Sequence, residues 1–277
     1  AAAPVKITSA KTTPAAGDWA SIDLYGGAVG NLNTWTHAIV EYGGSASYGM
    51  VYLEDNASLT LTDSTLQHAE AVGLEVAGNG AKLPNFTGNT ITGCGTNPIK
   101  IGSNEADQLN PGTYTPNGDA AIWVRGNGID HDAVWHAAGV PYLITSSFTV
   151  DGPTSVAHWD LDAGVGLKVS SAIDLYVANN GLLRANGTAA SPVTITSTST
   201  SQHWGTLNLS SAGNILTSTA FSYGASNNAY GQLWLDGAGV SVTMTDVTFS
   251  NSGMTSGCSV VLNGGTATGL PANAECI

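Results

Sequence analysis

Short alternations of apolar and polar residues recur along this chain, separated by Gly, Asn, Asp and Ser. Typical examples are Val51-Tyr-Leu53, Leu74-Glu-Val76 and Ile99-Lys-Ile101. A period of two in pieces this short predicts β-strands rather than helices. Only two stretches, 68–72 and 132–138, have any helical character, so the sequence predicts an all-β protein.

The strand pattern returns at a regular interval: 23 residues separate Val51 from Leu74, and 27 separate Leu233 from Val260. Several short strands per interval, with Gly, Asn and Asp at the corners, are typical of a coiled parallel sheet. Hairpin signals of the Asn-Gly type are scarce, which argues against a β-sandwich. Because parallel crossovers strongly favour the right hand, the sequence predicts a single right-handed parallel β-helix, or β-solenoid.

The chain also contains one long segment twice. Equivalent residues in the two copies are Val5 and Val193, Ile7 and Ile195, Trp19 and Trp204, Tyr42 and Tyr223, and Asp63 and Asp246. The offset between the copies changes little along the match, which indicates short insertions in loops of one shared architecture. We therefore predict two homologous β-helix halves, 1–110 and 140–277, with an irregular insertion at 111–139.

The repeated elements carry a family resemblance. Each copy contains Pro-Val-x-Ile-Thr-Ser (4–9 and 192–197), then Trp-x-x-Ile/Leu-x-Leu (19–24 and 204–209), then Tyr-Gly. This order of motifs resembles that of secreted bacterial right-handed parallel β-helix repeat proteins. The resemblance implies the fold and a secreted or cell-surface location. Such proteins include polysaccharide lyases, glycosidases, adhesins and appendage proteins, so it implies no single activity.

Charge excludes some functions. Only 10% of residues are charged, against about a quarter in typical proteins. The 7 basic and 20 acidic residues give a net charge of −13, and no basic stripe is available for nucleic acid or an anionic membrane surface. No apolar run is long enough for direct membrane insertion, and no signal peptide is present at Ala1, which we expect to begin a mature, processed product.

The three cysteines do not form a disulfide framework. Cys258 and Cys276 are candidates for a disulfide that closes the end of the chain in an oxidising compartment. The alternative is that these two and Cys94 are small buried apolar side chains.

Two polar clusters are candidates for chemistry. Asp130, His131, Asp132 and His136 offer oxygen and nitrogen ligands to a divalent cation such as calcium, with Asp130 and Asp132 as the candidate metal ligands. Asp160 belongs to a second cluster at 158–162. The alternative for both is a polar loop without a ligand, in which case the protein has no cofactor.

Aromatic residues are candidates for contacts with sugars. Trp19 and Trp204 recur in both copies, as do Tyr52 and Trp234, which favours packing roles for all four. Trp135 and Trp159 are not repeated and are better candidates for a partner surface, as are Trp35 and Trp123. The candidate binding residues are Asp130, Asp132, Trp135, His136, Trp159 and Asp160. Asp63 and Asp246 recur after Thr, which predicts a turn role rather than catalysis.

Function is predicted less directly than fold. No set of residues has the pattern of a catalytic site, and the first copy begins almost at Ala1 without a capping helix before it. We therefore expect an extracellular structural protein, a subunit of an appendage, sheath or surface layer whose partners are copies of itself, stacked through open solenoid ends. The alternative is a carbohydrate-active enzyme or a glycan-binding or adhesin module that recognises surface polysaccharide. A proteolytic fragment of a larger surface protein is a third possibility.

Overall fold

The computed structural model describes residues 3–26, 32–77, 80–227, 229–272 and 274–275. The protein is all-β with almost no helix, and its parallel sheets form a β-solenoid of about nine turns. The predicted parallel β-helix is therefore confirmed, while its right hand stays a prediction. The backbone divides into two compact units, residues 1–124 with 138–141 and residues 125–137 with 142–277. We call them unit 1 and unit 2.

Unit 1 is built from three parallel sheets. Its strands are β1 (Val5–Ile7), β2 (Ile22–Leu24), β3 (Leu32–Thr36), β4 (Ala38–Glu41), β5 (Val51–Leu53), β6 (Ser58–Thr62), β7 (Thr65–Gln67), β8 (Leu74–Val76), β9 (Phe86–Thr87), β10 (Thr90–Thr92), β11 (Ile99–Gly102) and β12 (Ile122–Arg125). The sheet orders are β1-β4-β7-β10, β3-β6-β9 and β2-β5-β8-β11-β12. A short 3-10 helix, Ala106–Gln108, follows β11.

Unit 2 has the same three-sided construction. Its strands are β13 (Ala133–Trp135), β14 (Tyr142–Ile144), β15 (Phe148–Val150), β16 (Ala157–Leu161), β17 (Gly166–Val169), β18 (Leu175–Val177), β19 (Gly181–Asn186), β20 (Val193–Ser197), β21 (Leu207–Leu209), β22 (Asn214–Thr217), β23 (Thr219–Ser222), β24 (Leu233–Asp236), β25 (Ser241–Thr245), β26 (Thr248–Ser250), β27 (Val260–Asn263) and β28 (Thr266–Thr268). The sheet orders are β14-β17-β20-β23-β26, β13-β16-β19-β22-β25-β28 and β15-β18-β21-β24-β27.

The segment 111–139, predicted as an irregular insertion, contains two strands of the solenoid. Strand β12 lies beside β11, and β13 pairs with β16 in parallel register. Each strand buries alternate side chains, Ile122 and Val124 in β12 and Ala133 and Trp135 in β13, as the pleat of a strand requires. The inserted segment therefore continues the coil at these positions.

The two sequence copies fold in the same way. Strands β1, β4 and β7 of the first copy correspond to β20, β23 and β26 of the second, and the same relation holds for the other two sheets. The core consists of apolar ladders, one side chain per turn. Ile7, Val40, Leu66 and Ile91 lie in register in unit 1, and the last three are fully buried. Their burial, repeated turn after turn, supplies the apolar area that holds the narrow solenoid together.

Each copy also contains the same contact between a tryptophan and a Tyr-Gly turn. The indole N–H of Trp19 donates to the carbonyl of Glu41 (3.0 Å), and that of Trp204 donates to the carbonyl of Ser222 (2.9 Å). The residue after that carbonyl, Tyr42 or Tyr223, has a positive φ of 67° or 53°. This recurrence agrees with the packing role predicted for the two tryptophans.

Asp63 and Asp246 occupy left-handed corners of the coil, with φ of 50° and 53°. Aspartate tolerates this conformation better than most residues because its short side chain bonds to nearby backbone groups. The turn role that their recurrence predicts is therefore confirmed.

Candidate functional site

Most candidate site residues lie on two neighbouring turns of unit 2. Strands β13 and β16 pair in parallel, with Ala133 opposite Trp159, Val134 opposite Asp160 and Trp135 opposite Leu161. Because successive side chains of a strand point to opposite faces, this register places the candidate residues on two different faces of the sheet. The tryptophans face the core, and the polar residues face outward.

Trp135 and Trp159 are core residues. Their side chains are 0% and 1% exposed. The two rings meet edge to face with centroids 5.3 Å apart, and they contact Tyr142 and Phe148 at 4.9 and 5.2 Å. A ring enclosed in this way is closed to a ligand, so the structure corrects the prediction that these tryptophans form a partner surface. They stabilise the core by aromatic packing.

The outward face of β13, β16 and β19 carries a network of charged side chains. The Asp132 carboxylate accepts a hydrogen bond from the backbone N–H of His158 (3.0 Å) and lies 3.2 Å from the imidazole of that residue. The His158 ring lies 3.3 Å from the Arg184 guanidinium, which is 3.8 Å from the Asp160 carboxylate. We call these four residues the Asp-His-Arg cluster.

Beside the cluster, His136 lies 2.6 Å from the Asp162 carboxylate. The structure therefore brings three candidates, Asp132, His136 and Asp160, to one outer surface. Asp130 contacts its neighbour His131 at 3.1 Å and is mostly exposed.

Asp160 is the most perturbed acid of this surface. Burial raises the pKa of its carboxyl, the nearby Arg184 and His158 oppose the rise, and the charges of Asp132 and Asp162 add to it. One of its oxygens, Oδ1, is buried and has no hydrogen-bond partner among the residues that the structure describes. Because a low-dielectric site disfavours the charged form, Asp160 keeps a proton to higher pH than an ordinary aspartate does.

No group of three or more His, Cys, Asp or Glu residues suited to holding a metal ion is present in the described ranges. Calcium takes six to eight oxygen ligands. Asp132 instead bonds to His158, and Asp130 contacts His131. A divalent cation at Asp130 and Asp132 stays a prediction.

The sequence pattern does not indicate a second surface that the structure forms in unit 2. On the sheet β15-β18-β21-β24-β27, the outward residues Tyr176, Asn208 and Trp234 lie in register on three consecutive turns. Tyr230 stacks on Trp234 with centroids 4.2 Å apart and an interplanar angle of 21°. Tyr176 is 37% exposed. We call these four residues the aromatic strip.

Hydrogen bonds hold the aromatic strip in place. The Tyr176 hydroxyl donates to Asp174 (3.1 Å), whose other oxygen accepts the backbone N–H of Thr206 (2.8 Å). The Thr206 hydroxyl in turn donates to the carbonyl of Tyr230 (3.4 Å). Burial and the Asp174 charge raise the pKa of Tyr176, so its hydroxyl stays protonated as a donor.

The cysteines differ in state. Cys258 is disulfide-bonded, and its predicted partner, Cys276, lies outside the described residues. Cys94 is a free, buried thiol, and burial raises its pKa to about 11.

Comparisons with protein-family models, with curated proteins and with solved structures find no match for this chain. Within the described ranges, no helix is long and apolar enough to cross a membrane. The resemblance to secreted bacterial β-helix proteins therefore stays a prediction.

Proposed function

We propose that the protein is an extracellular glycan-binding module, and that the aromatic strip of unit 2 is its binding surface. The observation that carries this proposal is the alignment of Tyr176, Asn208 and Trp234 on consecutive turns, with Tyr230 stacked beside them. Aromatic faces contact the apolar faces of sugar rings, and nearby amides and hydroxyls bond to sugar hydroxyls.

The spacing of the strip suits a chain of sugars. Neighbouring strands lie 4.7–4.9 Å apart, which puts the backbones at Tyr176 and Trp234, two turns from each other, about 10 Å apart. That distance is comparable to the length of a disaccharide. The Asn208 side chain accepts one hydrogen bond, from the Ser210 hydroxyl, and within the described part of the chain its N–H groups donate to no other residue. Asn208 is only 8% exposed, so a sugar reaches the strip through Tyr176, which is 37% exposed.

Charge favours a neutral polysaccharide. The net charge of the chain is −13, and Asp174 lies at the strip itself. A polyanion meets long-range repulsion from such a surface. The hydrogen bonds that Asp174 accepts and the one that the Thr206 hydroxyl donates also hold the strip in one arrangement before binding, which lowers the entropic penalty of association.

Affinity electrophoresis tests the proposal. Soluble xylan, mixed-linkage β-glucan and galactomannan serve as neutral probes, and polygalacturonate and alginate as charged ones. We expect at least one neutral polysaccharide to retard the protein, and Tyr176→Ala to weaken that binding about ten-fold, which corresponds to about 1.4 kcal/mol.

The matched control is Tyr25→Ala, because Tyr25 is 63% exposed and lies in unit 1, outside the strip. Retardation equal in Tyr176→Ala and the unaltered protein would overturn the proposed surface. Absence of retardation by every neutral probe would overturn the proposed function.

Glycoside hydrolysis is a second candidate function, favoured by the Asp-His-Arg cluster. Asp160, whose pKa is raised by burial, lies on the same surface as Asp132 and Asp162, and such a reaction uses two carboxyl groups of unequal pKa as acid and base. The unaltered protein is expected to release reducing ends from the neutral polysaccharides. Asp160→Asn is expected to lose this activity. Polysaccharide binding without release of reducing ends would contradict hydrolysis and leave glycan binding as the proposed function.

The structural role predicted from the sequence, with copies of the chain as partners in an appendage, sheath or surface layer, stays a prediction. Sedimentation velocity of the purified protein over a range of concentrations tests it. A sedimentation coefficient that rises with concentration is expected for self-association, and a constant monomer value contradicts it. Glycan binding by the aromatic strip does not depend on that result.

A further inference from the structure

Unit 1 contains a cavity of about 200 Å³ on the outer side of its sheet β5-β8-β11-β12. Glu75, Lys100 and Trp123, from three neighbouring strands, line it together with Tyr48 and small residues of the loop before β5. Glu75 and Lys100 lie directly opposite each other in the parallel register of β8 and β11. We call this cavity the unit 1 pocket.

The pocket contains an ion pair. The Lys100 ammonium lies 2.8 Å from Oε1 of Glu75, whose Oε2 accepts the backbone N–H of Gly49 at 3.0 Å. The side chains of Glu75 and Lys100 are only 5% and 18% exposed. The same ammonium lies 4.6 Å from the centroid of the Trp123 ring, within the range of a cation–π contact.

The second copy does not repeat Glu75. Strand β8 corresponds to β27 of the second copy, where Val261 stands in place of Glu75. Withdrawing two charges from water is unfavourable, and replacing a buried pair by apolar residues is often neutral or stabilising. The second copy has no described strand at the place of β11, so the comparison concerns Glu75 alone, and a buried pair of this kind adds little to stability.

We propose that the unit 1 pocket binds a single neutral sugar ring, such as the terminal residue of a glycan. Ligand cavities for larger molecules typically span about 300–1,000 Å³, so this smaller cavity suits one ring. The paired Glu75 and Lys100 place an acceptor and a donor side by side, as adjacent sugar hydroxyls require.

The charges of the pair cancel, so an acidic or basic sugar would bury a charge without a counter-charge in the pocket, which is unfavourable. The aromatic rings of Tyr48 and Trp123 supply the apolar surface for a ring face, and Tyr48 is 53% exposed. The inference concerns a site in unit 1 and is independent of the aromatic strip in unit 2.

Saturation-transfer NMR and calorimetry with single sugars test the inference. The probes are the methyl glycosides of glucose, galactose and mannose, with glucuronate and glucosamine as charged comparisons. At least one neutral glycoside is expected to bind, and both charged sugars at least ten-fold more weakly.

Two variants locate the binding. Lys100→Met removes the donor but keeps an unbranched side chain over Trp123, and Ala46→Trp fills the pocket from its exposed rim while leaving the ion pair intact. Each is expected to weaken the glycoside at least ten-fold. Ala189→Trp, in an exposed loop of unit 2, is the matched control and is expected to bind normally.

If Lys100→Met does not fold, glycoside binding by Ala46→Trp alone tests whether the unit 1 pocket is the binding site. Normal binding by folded Ala46→Trp, equal binding of glucuronate, or no binding of any neutral glycoside would overturn the inference. Tyr176→Ala separates the two proposals, because it is expected to lose polysaccharide retardation while the glycoside still binds in unit 1.

Discussion

The indole of Trp204 donates its N–H to the carbonyl of Ser222 and covers the glycine two residues further on. A Cβ built on Gly224 would lie 2.6 Å from an atom of the Trp204 ring, and one built on Gly43 would lie 2.4 Å from the ring of Trp19. Both copies therefore need glycine at this place for the same reason, which is close approach of an aromatic ring to the backbone.

We predict that Gly224→Ala lowers the free energy of unfolding by about 1–3 kcal/mol, the usual effect of overpacking a core. Gly224 does not have a positive φ, so the clash with Trp204 is the reason for the loss rather than backbone strain. Urea unfolding followed by tryptophan fluorescence measures it. In a Trp204→Leu background the effect of Gly224→Ala should shrink, and an unchanged effect there would contradict the assigned contact.

Much of the fold could be predicted because the same sequence motifs recur in both copies of the repeat. The Trp and Tyr-Gly motifs recur in both copies, and the structure shows the same hydrogen bond in each. The direction of Trp135 could not be predicted in the same way. Val134 beside it is also apolar, so the alternation does not reveal which side faces the core, and the parallel register with β16 decides.

The aromatic strip could not be predicted from the sequence, for a related reason. Tyr176, Asn208 and Trp234 are separated by 32 and 26 residues, because successive turns differ in length. Register between strands of a solenoid depends on how those loops close, so separate outward residues cannot be aligned from periodicity alone. The clusters around Asp132 and Asp160 are visible in the sequence because the members of each are close to one another along the chain.

The pKa of Asp18 in unit 1 depends on its hydrogen bonds, which gives a further prediction. Hydrogen bonds from Lys11 and Ser9 and from the backbone of Ala15 lower its pKa to about 2. We expect Lys11→Met to raise that pKa towards the ordinary value of 3.8, as followed by carboxyl chemical shifts in an NMR titration. Ser9→Ala should produce a smaller rise, and an unchanged pKa in Lys11→Met would contradict the assigned cause.

The sign of the Asp18 contribution follows from its lowered pKa. The folded state favours the ionised carboxylate more than the unfolded state does. The contribution of Asp18 to stability is therefore present above about pH 3.8 and is lost as the pH falls towards about 2. In Lys11→Met this acid dependence should become weaker.

Cys94 should be inert in the folded protein. Its side chain is buried and its pKa is raised to about 11, so at pH 8 almost none of it is the reactive thiolate. Iodoacetamide at pH 8 should modify Cys94 only after denaturation, as measured by mass spectrometry of the intact chain. Rapid labelling under native conditions would contradict the burial.

Asp160 should make stability depend on pH in the opposite sense to Asp18. Its folded-state pKa is raised above 3.8, so the folded state binds the proton more tightly than the unfolded state. Stability from this group is therefore fully present below the unfolded pKa and is lost as pH rises through the folded one. Asp160→Asn removes that loss, so its melting temperature relative to the unaltered protein should increase between pH 3 and pH 7. A constant difference across this range would show that Asp160 is not perturbed, and it would remove the acid on which the hydrolytic candidate function rests.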